Sequence, residues 1–119
     1  MNQLELLAPA RDLQIGIAAI DCGADAVYIA GPRFGARQAA GNGIEDIRAL
    51  CDYAHKFGAR IFVTLNTILY DDELEDAWEQ MLAVQEAGAD ALIVQDMAIV
   101  VLAQERGYSL PLHASTQCA

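Results

Sequence analysis

The sequence has few basic side chains and no long apolar run. Lysine and arginine number 7 against 17 aspartate and glutamate residues, so the formal net charge is −10. This charge repels phosphate groups and argues against a sequence-independent grip on nucleic acid or on an anionic membrane. The densest apolar run, residues 97–103, is far shorter than the roughly 20 residues that a transmembrane helix requires. We therefore expect no membrane partner.

Cysteines are also scarce. Cys22, Cys51 and Cys118 form no CxxC pair and are odd in number, which excludes a disulfide framework and a zinc knuckle as interpretations of the sequence. The first ten residues lack a basic segment ahead of an apolar stretch, so the sequence shows no secretory signal. A reducing, cytoplasmic location is the expectation.

Apolar residues are abundant and regularly arranged. They make up 55% of the chain, which excludes disorder. Short apolar runs alternate with amphipathic helical segments from end to end. The predicted strands are residues 4–8 (ended by Pro9), 26–30, 60–65, 91–94 and 110–115. The predicted helices begin at an Asp12 N-cap, near Ile44 with an Asn42–Glu45 capping box, at the acidic residues 71–73, and at Met97.

This alternation predicts the fold class. Strands that are apolar on both faces are typical of a parallel sheet covered by helices, and strict alternation gives right-handed βαβ units. The class is therefore α/β. Two architectures remain open, a doubly wound five-stranded sheet or the N-terminal part of a TIM-barrel-like fold, which needs roughly 250 residues when complete. The turn at residues 8–12 lacks GxGxxG, and no P-loop is present. We expect residues 1–119 to form a single partial barrel domain, truncated from a longer region.

Ligands of parallel α/β proteins meet the carboxyl ends of the strands, and the last predicted strand is the most informative. A period of two places His113, Ser115 and Gln117 on one face, where three polar groups are costly unless they face a ligand or a barrel interior. His113 is a candidate general base or orienting donor, and Ser115 a nucleophile if a base lies within reach. The alternative is a satisfied hydrogen-bond network inside a barrel.

The connection between residues 31 and 43 is a second candidate site. It carries four glycines and two arginines, Arg33 and Arg37, in an otherwise acidic chain. Guanidinium groups at a strand end suit a phosphate or a carboxylate, and glycines let the backbone approach a ligand. The alternative is a surface loop whose arginines pair with nearby acids.

Other polar residues have structural explanations. Asp25 and Asp90 occupy the same place in two near-identical segments, residues 23–29 and 88–94, and both are predicted to be turn or capping residues. Cys51 lies on the apolar stripe of the second helix and is predicted to be core.

Seven segments, taken in order, carry a family resemblance. They are ELLAPA at 5–10, GADAVY at 23–28, FGAR at 34–37, AGN at 40–42, VTLN at 63–66, GADALIV at 88–94 and HASTQ at 113–117. The set resembles the N-terminal region of the U32 peptidase family, the collagenase-like proteases. The resemblance implies a TIM-barrel-like catalytic region in which site positions fall on Pro9, Arg37, Asn42, Asn66, His113, Ser115 and Gln117. One departure is Arg11-Asp12, where the family usually has Gly-Asn.

The resemblance leaves the function open among three hypotheses. The first is a U32-type peptidase, in which His113, Ser115, Gln117 and Asn66 would be catalytic, while Arg33, Arg37, Asn42 and Pro9 would bind the substrate or an anion. The second is a hydroxylation factor for RNA or ubiquinone, whose iron–sulfur cluster would be held by cysteines beyond this chain. The third is a non-catalytic binding or scaffold fragment. An open sheet edge further predicts self-association.

Overall fold

A computed structural model describes residues 6–31, 43–65, 74–94 and 97–114. Within these residues, strands and helices alternate along the whole chain. In order, the elements are β1 (Leu7–Ala10), α1 (Leu13–Asp21), β2 (Ala26–Ala30), α2 (Ile44–Lys56), β3 (Arg60–Leu65), α3 (Leu74–Ala87), β4 (Ala91–Val94), α4 (Met97–Arg106) and β5 (Leu112–Ala114).

The sheet resolves the choice between the two architectures. Its strand order is β1-β2-β3-β4-β5, and every neighbouring pair is parallel. A doubly wound sheet reverses its order at a switch point, whereas here each strand lies beside its neighbour in the chain. Successive helices pack on one another, α1 on α2, α2 on α3 and α3 on α4. With right-handed crossovers this order places the helices on one face, as in the N-terminal part of a TIM-barrel-like fold.

The core lies between the sheet and the helices. Alternate strand residues point towards the helices and are almost fully buried, among them Ile29, Ile61 and Leu92. They pack against Leu50 of α2 and Met81 of α3, which are also fully buried. Burial of such a contiguous apolar cluster is the main force that stabilises the domain.

The opposite face of the sheet has no helix against it among the described residues, and we name it the uncovered face. Its strand residues are only partly buried at Tyr28, Phe62 and Ile93, and exposed at Pro9 and His113. Its full membership in the described strands is Leu7, Pro9, Ala26, Tyr28, Ala30, Arg60, Phe62, Thr64, Ala91, Ile93 and His113.

The first strand differs from its prediction. The sequence predicts that Pro9 ends it, but β1 contains Pro9, which pairs in register with Tyr28 of β2. Because β1 is an edge of the described sheet, the missing N–H of proline costs no interior ladder bond. The fifth strand is also shorter than residues 110–115, since it begins at Leu112.

The first helix begins as predicted, whereas the second has a different cap. Asp12 is the N-cap of α1, where its Oδ1 accepts a hydrogen bond of 2.9 Å from the Ile15 amide. The N-cap of α2 is Gly43, which makes no side-chain capping bond. Because the helix is capped by Gly43, the prediction that Asn42 is its N-cap was wrong by one residue. Asn42 itself and the acidic residues 71–73 lie outside the described residues.

The two repeated turns use their aspartates alike. Asp25 Oδ2 accepts from the Leu6 amide and Asp90 Oδ2 from the Ile61 amide, each at 2.8 Å. In both turns the preceding glycine has a positive φ, 100° at Gly23 and 105° at Gly88, which favours glycine over other residues. The interpretation of both aspartates as turn and capping residues is confirmed.

No helix in the described part of the chain is long and apolar enough to cross a membrane. β1 and β5 are the outer strands of the described sheet, and each presents an unpaired edge to its surroundings. Self-association through these edges stays a prediction, as does the assignment of residues 1–119 to one partial barrel domain.

Candidate functional site

The structure describes two of the predicted site residues, Pro9 and His113. The others lie outside the described residues, and their roles stay predictions. They are Arg33, Arg37, Asn42, Asn66, Ser115 and Gln117.

His113 lies on the uncovered face. The sequence assigns it to one face of the last strand, because successive side chains of a strand point to opposite faces. It is the middle residue of β5 and pairs in register with Ile93 of β4. Its side chain is exposed, and its ring centroid lies 5.9 Å from that of Phe62 on β3. The imidazole therefore has an aromatic neighbour on one side and is exposed among the described residues.

Three further residues of this face are not predicted from the sequence. The rings of Tyr28 and Phe62 have centroids 5.5 Å apart, and the Arg60 guanidinium carbon lies 5.7 Å from the Phe62 centroid. Tyr28, Phe62 and His113 thus form a row across the sheet, which we name the aromatic row. The alternation within residues 60–65 places Arg60, Phe62 and Thr64 on one face of β3. That Tyr28 and His113 lie beside them follows only from the pairing of the strands.

Two backbone features frame one end of the face. Exposed Pro9 is paired with Tyr28, at the edge of the row. Gly31, where the glycine-rich connection begins, donates its amide to the Thr64 carbonyl at 3.0 Å. A Cβ at Gly31 would lie 2.8 Å from Val63 Cγ1, so this close approach of the β2 end to β3 requires glycine.

The opposite end of the sheet carries a stabilising cluster. Asp90 Oδ2, besides capping Ile61, lies 2.9 Å from His55 Nε2. Cys51 lies close by on α2 and is fully buried. Burial, with smaller contributions from the negative charges of Asp90 and Asp52, raises the pKa of the Cys51 thiol to about 12. A thiol so buried and protonated is inert, which confirms that Cys51 is a core residue.

Native labelling distinguishes the two described cysteines. We expect a thiol reagent such as iodoacetamide at pH 8 to modify exposed Cys22 readily and to leave Cys51 unmodified, because the thiolate is the reactive form. Peptide mass mapping after a short exposure measures this. The control is the same iodoacetamide treatment in denaturant, which should modify both cysteines. Equal modification of Cys22 and Cys51 in the folded protein would show that Cys51 is not buried.

The described residues do not fit a metal centre. Among them, no group of three or more His, Cys, Asp and Glu side chains is close enough to hold an ion. Cys51 is sealed in the core and Cys22 lies at the end of α1, so these two cysteines cannot act as ligands of one iron–sulfur cluster. The iron–sulfur cluster that the resemblance implies stays an expectation, and Cys118 lies outside the described residues.

The fold defines a class of protein: a TIM-barrel-like α/β domain, whose described residues form an open sheet of five parallel strands. Solved structures agree on the fold. The chain is similar to 3-hexulose-6-phosphate synthase from Salmonella typhimurium, with a TM-score of 0.69 and 17% identity over 96% of this chain and 54% of that one. It is also similar to a phosphonopyruvate hydrolase, with a TM-score of 0.64 and 15% identity over 95% of this chain and 46% of that one.

The chain belongs to peptidase family U32, whose family model matches residues 11–119. It is 56% identical to the 23S rRNA 5-hydroxycytidine C2501 synthase of Escherichia coli, over 98% of this chain and 18% of that protein. An uncharacterized protease of Methanocaldococcus jannaschii is 38% identical over 99% of this chain and 29% of its own length. The tRNA hydroxylation protein P1 of Bacillus subtilis is 35% identical over 95% of this chain and 27% of its own length. The chain thus spans less than a third of each of these relatives.

Proposed function

We propose that this chain acts in the hydroxylation of RNA, with a cytidine of 23S rRNA as the target. The observation that carries the proposal is the 56% identity to the rRNA hydroxycytidine synthase, which extends over nearly the whole chain. Identity to the uncharacterized protease of Methanocaldococcus jannaschii is lower, at 38%. This ranking favours the hydroxylation hypothesis over the peptidase hypothesis.

Two described residues bear on the choice between RNA hydroxylation and peptide hydrolysis. The thiol of Cys51 is protonated and buried, so it does not provide a nucleophile. The contact that the structure gives to His113 is an aromatic ring, Phe62, which suits an orienting residue. We assign Arg33 and Arg37 to the RNA phosphates, and Asn42, Asn66, Ser115 and Gln117 to polar contacts around the base. The oxidative chemistry would come from an iron–sulfur cluster on cysteines outside this chain, and the location would be cytoplasmic.

A chimeric enzyme tests the proposal. In an Escherichia coli strain that lacks its own synthase, the segment of that enzyme which this chain matches is replaced by residues 1–119. Since the two segments are 56% identical, we expect the chimera to restore 5-hydroxycytidine in 23S rRNA to at least about a tenth of the wild-type level. Nuclease digestion and mass spectrometry of the nucleosides measure it.

The matched control is a second chimera that carries the corresponding segment of the Bacillus subtilis tRNA hydroxylation protein P1 in the same place. This control is expected to leave 23S rRNA unmodified. If the first chimera accumulates as folded protein yet yields no 5-hydroxycytidine, the proposal is wrong.

Peptide hydrolysis is the second candidate, because two relatives are described as a protease and as a collagenase. The same chimera, purified, is incubated with denatured collagen. Cleavage that is lost in His113→Ala would favour this candidate instead.

A further inference from the structure

The uncovered face differs in charge from the rest of the molecule. The chain carries a net charge of −10. Yet among the described strand residues of this face there is no aspartate or glutamate, and its charged side chain is that of Arg60. The described acidic residues lie instead on the helices and turns, as Glu45, Asp46 and Glu75 illustrate. A face whose described strand residues carry no carboxylate does not repel an anionic ligand from close range.

The same face presents aromatic rings that lie outside the core formed by the described residues. Tyr28 and Phe62 are only partly buried and His113 is exposed. Their rings are tilted, by 45° between Tyr28 and Phe62 and by 31° between Phe62 and His113, so they do not stack flat on one another. Flat, partly exposed rings at this spacing offer the surface on which nucleobases stack.

Phe62 has a particular place in the row. It lies between the guanidinium of Arg60, 5.7 Å from its centroid, and the imidazole of His113 at 5.9 Å. The ring of Phe62 therefore limits where the His113 ring can lie. His113, at the exposed end of the row, has ring nitrogens that can donate to or accept from the edge of a base.

We propose that the aromatic row is a nucleobase subsite, in which the target pyrimidine stacks against the rings of Phe62 and Tyr28 while the ring nitrogens of His113, at the end of the row, contact the edge of the base. An enzyme that modifies a base must take it out of its stack, and an aromatic surface lowers the cost of doing so. The proposal rests on the proposed function, since it assigns a place to the base of that substrate. The competing explanation of the face is a sealed barrel interior that no ligand enters.

The test isolates the contribution of the base. The chimeric synthase defined above is titrated with two short fluorescein-labelled RNA strands that span the hydroxylation site of the Escherichia coli enzyme, one with cytidine and one with an abasic ribose at the target. Fluorescence anisotropy gives a Kd for each, and their ratio reports contacts to the base alone. We expect the cytidine strand to bind about five-fold or more tightly than the abasic strand, and His113→Ala and Phe62→Leu to bring this ratio close to one.

Two matched variants on the other side of the molecule are the controls. His55→Ala removes the other histidine of the chain, and Phe57→Leu removes an aromatic ring that is 63% exposed. Both should keep the wild-type ratio. Affinity for the abasic strand reports folding, because an unfolded variant loses both affinities together. His113→Gln, which keeps a polar side chain, is expected to retain part of the ratio.

The failure of this subsite and the failure of the proposed function give different results. If the chimera makes 5-hydroxycytidine but the ratio is unchanged in His113→Ala and Phe62→Leu, the face is a sealed interior and the subsite is wrong while the function stands. If the chimera accumulates as folded protein but makes no 5-hydroxycytidine, the function fails, whatever the ratio.

Discussion

Replacing Leu50 by alanine is expected to lower the free energy of unfolding by about 3 kcal/mol. Leu50 is fully buried on α2, and its side chain fills the space above Gly16 of α1, where a Cβ would lie 2.8 Å from a Leu50 methyl carbon. Because α1 approaches α2 so closely here, the helices cannot move together to fill the space that alanine would leave. Urea unfolding followed by far-ultraviolet circular dichroism measures the loss.

Leu82→Ala is the matched control. It removes the same atoms from α3, but Leu82 is 36% exposed, so we expect a loss of about 1 kcal/mol or less. Similar losses in the two variants would mean that α1 and α2 are not closely packed through Leu50, and that the helix layer on this face of the sheet is wrongly described.

Replacing Asp90 by alanine is expected to lower the free energy of unfolding by about 1–3 kcal/mol. The carboxylate accepts from the amide of Ile61, a fully buried residue of β3, and contacts His55 of α2. Without the Asp90 carboxylate, the Ile61 amide loses its side-chain acceptor. The contacts that join the start of β4 to β3 through Ile61 and to α2 through His55 are also lost. Thermal or urea unfolding of the purified chain measures the effect.

The controls for Asp90 separate the hydrogen bond from the charge. Asp90→Asn keeps a carbonyl oxygen that can accept from Ile61, so it should retain most of the stability. Glu86→Ala removes an exposed carboxylate of α3 and should change stability by no more than about 0.5 kcal/mol. If Asp90→Ala is as mild as Glu86→Ala, the repeated turn contributes nothing through its aspartate.

Much of the fold could be predicted from the sequence because apolar runs and the residues that begin helices are local signals. The bounds of β2, β3 and β4 and the start of α4 agree with the predicted ones. β1 could not be placed in the same way, since whether a proline ends a strand depends on whether that strand lies at an edge, which is a property of the whole sheet. The cap of α2 was misplaced by one residue for a local reason: Gly43 caps without any side-chain signal.

The candidate site was predictable only in part. The alternation in the last strand correctly assigns His113 to a face, and the position of strand ends indicates where polar residues gather. Tyr28 and Phe62 could not be recognised in this way, because an aromatic residue in an apolar run is interpreted as core. The handedness of the crossovers decides which side of the sheet the helices cover. Together with the register of the strands, it places Tyr28, Phe62 and His113 on the uncovered face.

The nucleoside content of RNA from the chimera strain tests the central claim most directly. 23S rRNA and tRNA are purified separately from cells in which residues 1–119 replace the matched segment of the Escherichia coli synthase, and each is digested and analysed by mass spectrometry. Participation in rRNA hydroxylation predicts 5-hydroxycytidine restored in 23S rRNA, with the tRNA profile unchanged from that of the parent strain. A stable, folded chimera that leaves 23S rRNA without 5-hydroxycytidine would contradict it.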